Sequence, residues 1–343
     1  MRLCLVGLAW FAGMNCAPVW AQSDPVADFY RGQTISIIVG SDPGGGYDAY
    51  ARPVSRHLGR LIPGNPAISV KYMPGAASLV AANYLFNNAP RDGLQIGALQ
   101  RQIPFEPLRG AEAARYDPFK FVWLGSVTSE TSVLIVSKAA TQRTPADVLT
   151  QPLIAASLGA GTDSEVESIA MQRLHGAPIK LISGYRGTPE ALLALERGEV
   201  QGVHGISWSY IKSKKADWLR DGAIRLILQS GLQLHPDLAG VPSIRDLSRT
   251  DEERAVWELI LAPKAMSRPF ALPPDTPADR AAALRRAFDA LMTDPAFLDD
   301  MAKSQLEALP IGGADITALM QRLYAFPSTT IQRMRSAIAV AAP

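Results

Sequence analysis

The residues best suited to chemistry are Ser41-Asp42-Pro43-Gly44-Gly45-Gly46-Tyr47-Asp48, which follow the apolar run Ile35-Ser36-Ile37-Ile38-Val39. Gly44, Gly45 and Gly46 carry no Cβ to keep a ligand from the backbone, and they leave peptide N–H groups free at the start of a helix. The helix dipole adds partial positive charge there, so the turn suits a carboxylate or a phosphate. A second glycine turn, Ser157-Leu158-Gly159-Ala160-Gly161-Thr162, occurs later. Tyr185-Arg186-Gly187 places an arginine after a strand, where a guanidinium can pair a carboxylate through two bonds or stand as an exposed loop charge. Ser207 and Trp208 end another strand and face the same cleft in this reading. Asp48 has three open roles: receiving a ligand amine, orienting Tyr47, or complementing the helix dipole.

Other chemistries find less support. Gly44 to Ala49 also fits the G-x-G-x-x-A dinucleotide fingerprint, but the following strand ends Val70-Lys71-Tyr72, without the acid that takes the ribose hydroxyls. Gly40 to Gly45 has the glycine spacing of a phosphate loop, yet Gly46-Tyr47 stands where Lys and Ser/Thr are required. Gly205-Ile206-Ser207-Trp208-Ser209 lacks the last glycine of a hydrolase elbow. His57, His175, His204 and His235 have no metal-ligand spacing, and Asp163, Glu165 and Glu167 read as dipole complements in a first helical turn. No metal, cofactor or catalytic residue is expected.

Positioning these turns requires strands and helices in alternation. Period and composition predict strands at Ile35 to Val39, Ile68 to Tyr72 and Leu94 to Leu99, with helices from Tyr47 to Leu61 and from Leu79 to Phe86. Such βα units imply a parallel sheet covered by helices. Pro53 falls inside the first helix and either bends it or marks a late start. A second set begins with the apolar strand Val133 to Val136, then Thr144-Pro145-Ala146-Asp147, a cap, a proline at the first helical position and an acid. Strands follow at Leu153 to Ala156, Ile179 to Ile182, Val200 to Ile206 and Ile224 to Leu228, and the end of the chain is helical. Two α/β lobes facing one cleft are the expected architecture.

With 343 residues, 48% hydrophobic and 19% charged, the chain is long enough for two cores, and a net charge of +2 argues against a nucleic-acid partner. Arg2, the apolar run from Leu3 to Val19 and Val19-Trp20-Ala21 read as a secretory signal peptide, residues 1–21, cut before Gln22. Both cysteines, Cys4 and Cys16, lie in that segment, so the mature chain would carry out no thiol chemistry.

In order, Pro43-Gly44-Gly45-Gly46-Tyr47-Asp48, Met73-Pro74-Gly75-Ala76-Ala77-Ser78, Arg91-Asp92-Gly93, Gly159-Ala160-Gly161-Thr162 and Tyr185-Arg186-Gly187 resemble the substrate-binding receptors of tripartite tricarboxylate transporters, the Bug-type receptors. The resemblance runs from about Tyr30 to the last helix. It implies a two-lobed type II periplasmic binding protein fold, periplasmic and monomeric, that holds a small carboxylate or dicarboxylate between lobes and delivers it to membrane permease subunits. Lobe 1 would be residues 24–127 completed by 241–343, and lobe 2 residues 128–240. By position the resemblance implicates Gly44, Gly45, Gly46, Tyr47 and Asp48, with Gly75, Ala76, Ala77 and Ser78 nearby, and Gly161, Thr162 and Ser164 in lobe 2; Tyr185, Arg186 and Ser207 complete the expected site. This chain departs from the pattern at Asp42, where a proline is commoner, at Tyr47, where a small hydroxyl residue is usual, and at Glu165, where histidine is frequent. An exported α/β enzyme and a sensor that signals to a partner remain the alternatives.

Overall fold

The computed structural model describes residues 24–159 and 161–339; the expected signal peptide and its cleavage site lie outside these residues. Eleven strands form two sheets among the described residues. They are β1 (Thr34–Val39), β2 (Ala67–Tyr72), β3 (Gln95–Ala98), β4 (Val122–Ser126), β5 (Ser132–Ser137), β6 (Leu153–Ser157), β7 (Ile179–Ser183), β8 (Gly202–Ser207), β9 (Ile224–Ser230), β10 (Pro269–Leu272) and β11 (Ile311–Gly312). The first sheet runs β11-β4-β10-β3-β1-β2 and the second β7-β6-β8-β5-β9.

The βα alternation is present, but neither sheet is wholly parallel. β1 pairs in parallel with β2 and β3, whereas β10 is antiparallel to β3 and β4. In the second sheet β6 is parallel to β7 and β8, and β5 is antiparallel to β8 and β9. Each sheet thus has an antiparallel strand inserted after its third, and each inserted strand is the first after the chain has passed from the other sheet; the two-residue β11 at the edge of the first sheet is antiparallel to β4 as well. An apolar run such as Val133–Val136 shows a buried strand without stating the direction of its neighbours, which is why the insertion does not show in the sequence.

The two passages, around residues 127–131 and 264–268, run side by side. Val127 N–H donates to the Arg268 carbonyl at 3.2 Å, Ser267 N–H to Thr128 at 3.0 Å and Glu130 N–H to Lys264 at 2.8 Å. The apolar run from Val256 to Leu261 lies in a helix, Asp251–Ala265, capped by Thr250. Its two faces serve different cores: Val256, Leu259 and Ala262 pack beside the first sheet, Trp257 and Leu261 beside the second.

The first glycine turn opens directly into a helix, so Pro53 does not mark a late start. The helix Gly46–His57 follows β1, buries Tyr50, Ala51 and Val54, and runs through Pro53. Thr144 and Asp147 form the anticipated reciprocal cap of Pro145–Thr150. Among the described residues no helix is long and apolar enough to cross a membrane.

Candidate functional site

A cavity of about 390 Å³ lies between the two sheets, with walls from both glycine turns: Tyr47 on one side, Gly161, Thr162 and Ser164 on the other, and Ser207 at the end of β8. A second cavity of about 360 Å³ lies behind it, lined by Gly46, Ser207 and Trp208 among others. Gly44, Gly45, Asp48, Gly75, Ala76, Ala77, Ser78, Tyr185 and Arg186 line neither cavity.

The glycine turns are less open than their residues suggest. Gly44 N–H donates to Asp48 Oδ2 at 2.7 Å, and Gly161 N–H to Glu165 Oε2 at 3.1 Å, so each turn already holds a carboxylate four residues on. Arg186 N–H donates to Glu190 in the same way at 2.7 Å. Asp48 is 1% exposed; it also accepts from Arg52 Nε at 2.9 Å and the Tyr72 hydroxyl at 2.8 Å. Burial pushes its pKa up, but these three donors hold the carboxyl below the usual aspartate value. Asp48 therefore serves the turn itself, orienting neither Tyr47 nor a ligand amine. Ala76, Ala77 and Ser78 form a left-handed turn with φ of 45°, 51° and 76°. It presses the Ser78 hydroxyl against Gly40, where a Cβ would come within 1.7 Å of it, and that hydroxyl accepts from Gln100 N–H at 3.2 Å.

The charged groups of the site come from residues without a sequence motif. Arg101, on the loop after β3, reaches across the cleft and donates through Nη2 to both oxygens of Asp163 at 2.7 Å, and through Nη1 to Glu130 at 2.8 Å. Its own N–H donates to the Tyr47 hydroxyl at 3.1 Å. Lys264, at the end of its helix and 3% exposed, lies 3.0 Å from Asp163 and 2.5 Å from Glu167 and also donates to Ser132. His204, fully buried, lies 3.2 Å from Glu167. Burial opposes ionisation of Asp163 and Glu167, yet Arg101 and Lys264 beside the first, and Lys264 with His204 beside the second, hold both below their ordinary values. Burial likewise opposes the charge on Lys264, which Asp163 and Glu167 restore.

Asp163 and Glu167 are thus not simple dipole complements: both belong to an ionic network joining the lobes, and Glu165 alone of the three caps its turn. The network spans 62 residues between Arg101 and Asp163, a separation at which no local spacing rule operates.

Arg268, just before β10, is the remaining cation deep in the cleft. Its guanidinium lies over the rings of Tyr47 at 4.7 Å and Tyr50 at 4.9 Å, both from the first glycine helix, and Nη1 donates to the Ser267 carbonyl at 2.7 Å. Among the described residues no carboxylate lies within 4 Å of it, and its Nε is buried without a partner. Aromatic faces hold a guanidinium while leaving its edge to donate, so the arrangement presents an ordered cation to the cavity. Geometrically the cavity offers an anion one ordered guanidinium.

No protein-family model and no curated protein matches the chain. Solved structures do. A TctC solute binding protein from Polaromonas superposes with a TM-score of 0.70 at 18% identity, covering 89% of this chain and 99% of the other. MatC from Rhodopseudomonas palustris, with bound malate, superposes at 0.58 with 17% identity, covering 90% and 99%. An R. palustris protein with adipate gives 0.60 at 17% identity, covering 89% and 97%. Identities this low speak to architecture: with its two sheets, this chain has the two-lobed α/β fold of periplasmic binding proteins.

Proposed function

We propose that this chain is a periplasmic solute-binding receptor that captures a small carboxylate between its lobes and delivers it, as a monomer, to the permease subunits of a tripartite tricarboxylate-type transporter. The observation that carries the reading is the cavity between the sheets, walled by Tyr47 after the first glycine turn and by Gly161 and Thr162 of the second, and containing Arg268, a guanidinium without a carboxylate partner among the described residues. Lobe 1 is taken as residues 24–127 with 241–343, lobe 2 as 128–240, and residues 1–21 as the export signal. Lobe closure about the paired passages would bury the ligand, as in hinge-type binding proteins. One neighbour is named a TctC solute binding protein and two others hold malate and adipate, which supports this class over an exported enzyme or a sensor.

Native mass spectrometry of protein purified from the periplasm without refolding tests several parts at once. The expected spectrum shows a monomer whose chain begins at Gln22 and carries a small carboxylate that is released intact on activation. A chain beginning at Met1 would refute export. Turnover of the retained molecule in solution would show an enzyme, and binding to a signalling protein in place of permease subunits would show a sensor.

A further inference from the structure

Arg268, Glu130 and Ser207 line both cavities, so the guanidinium stands in the partition between a front chamber, at the glycine turns, and the rear one. The front chamber's other cations each face a carboxylate: Arg101 meets Asp163 and Glu130, Lys264 meets Asp163 and Glu167, and Arg109 lies 3.8 Å from Glu106. At the exposed rim of the rear chamber, Lys214 donates to the Gln305 side chain at 2.7 Å, across the lobes. Lys214 keeps its charge but stands at the exposed rim, so Arg268, with no carboxylate within 4 Å among the described residues, is the cation placed to seat a ligand carboxylate in the partition.

The rear chamber has a lining suited to a particular kind of body. Ser129, Thr131, Ser209 and Ser304 bring hydroxyl groups to it, Glu130 and Glu307 bring acceptors, and Trp208 and Tyr50 bring aromatic rings. Hydroxyls and carboxylates pair with ligand hydroxyl groups, and aromatic rings cover C–H faces. A second ligand carboxylate would stand near Glu130 and Glu307, where like charges repel. The volume, about 360 Å³, falls in the usual range for ligand pockets, roughly 300–1,000 Å³.

Resting on the receptor reading above, we propose that Arg268 anchors a polyhydroxylated monocarboxylate of the sugar-acid class, whose hydroxylated body fills the rear chamber. Specificity then arises behind the glycine turns, from side chains on the passages and on the helix after β8.

Titration calorimetry with gluconate, hexanoate and adipate separates the ideas. Gluconate is expected to bind at least about tenfold more tightly than either of the others. Arg268→Met keeps an unbranched side chain beside the tyrosine rings and removes the charge; it should weaken gluconate by about thirtyfold, the loss of a charge-assisted pair. Ser304→Trp, at an exposed rim position, should obstruct the rear chamber and weaken gluconate about tenfold with unchanged melting. Adipate or hexanoate binding as tightly as gluconate, or gluconate binding that ignores either substitution, would overturn this proposal while leaving a carboxylate receptor in place. No binding of any carboxylate, by these probes or in the native spectrum, would overturn both.

Discussion

Replacing Lys264 with methionine is expected to lower stability by about 3–5 kcal/mol, the cost typical of removing one partner from a buried ion pair. The ammonium is the cation closest to Glu167 and shares Asp163 with Arg101, so its loss leaves a carboxylate buried beside only Ser132 and His204. Urea unfolding measures the effect, and a loss below about 1 kcal/mol would mean that the network is already solvated. The pH dependence has a definite sign. Asp163 and Glu167 have folded pKa values below their ordinary 3.8 and 4.5. Their contribution is therefore complete above those values and is lost as pH falls through the lower, folded ones. Lys264 has a folded pKa above 10.5, so its contribution is complete below that value and is lost as pH rises through the folded one. The methionine variant should show a shallower acid limb than the wild type.

The second large effect is expected at Gly205. This residue of β8 has φ of 69°, and a Cβ there would stand 2.5 Å from both the Asp163 carbonyl carbon and the Ser164 nitrogen. Alanine must therefore enter a left-handed conformation, costing about 1–2 kcal/mol, and also push against backbone, costing about 1–3 kcal/mol more. The atoms that must yield begin the helix carrying Asp163, so the Arg101 contact across the cleft should loosen along with stability. Gly44→Ala is the comparison: φ is 81° but nothing lies within 4 Å of its Cβ, so it should show the conformational cost alone. Equal thermal unfolding shifts for the two variants would remove the steric part of this account.

What the sequence shows and what it hides divide by range. The strand-turn-helix order and the Thr144 cap follow from signals a few residues long, whereas the placing of Tyr47, Gly161 and Thr162 at one cavity is legible only through the family resemblance. Asp48 and Glu165 are also local, yet they are turned inward, because a carboxylate four residues after a turn can reach its first N–H; the residue type reads the same whether it faces ligand or backbone. Arg101, Lys264 and Arg268 stand alone in sequence and gain meaning only when the paired passages bring them to the cleft. The directions of β5 and β10 are hidden for the same reason, since pairing is decided by the passages and not by the strands' own residues.

The inserted strand β10 also orders events in time. All strands of the second sheet lie between residues 132 and 230, whereas the first takes strands from 34–126 and again from 269–312. Because β10 separates β3 from β4, β4, with its core residues Trp123 and Leu124, has no sheet neighbour until the chain has emerged as far as Pro269. A chain appearing N-terminus first can complete the central lobe while β4 is still an unpaired apolar segment, the kind of exposed edge that aggregates or recruits a holding chaperone. Pulsed hydrogen exchange during refolding should accordingly find the amides of β6 protected before those of β4, and simultaneous protection would show instead that the two lobes fold as one unit.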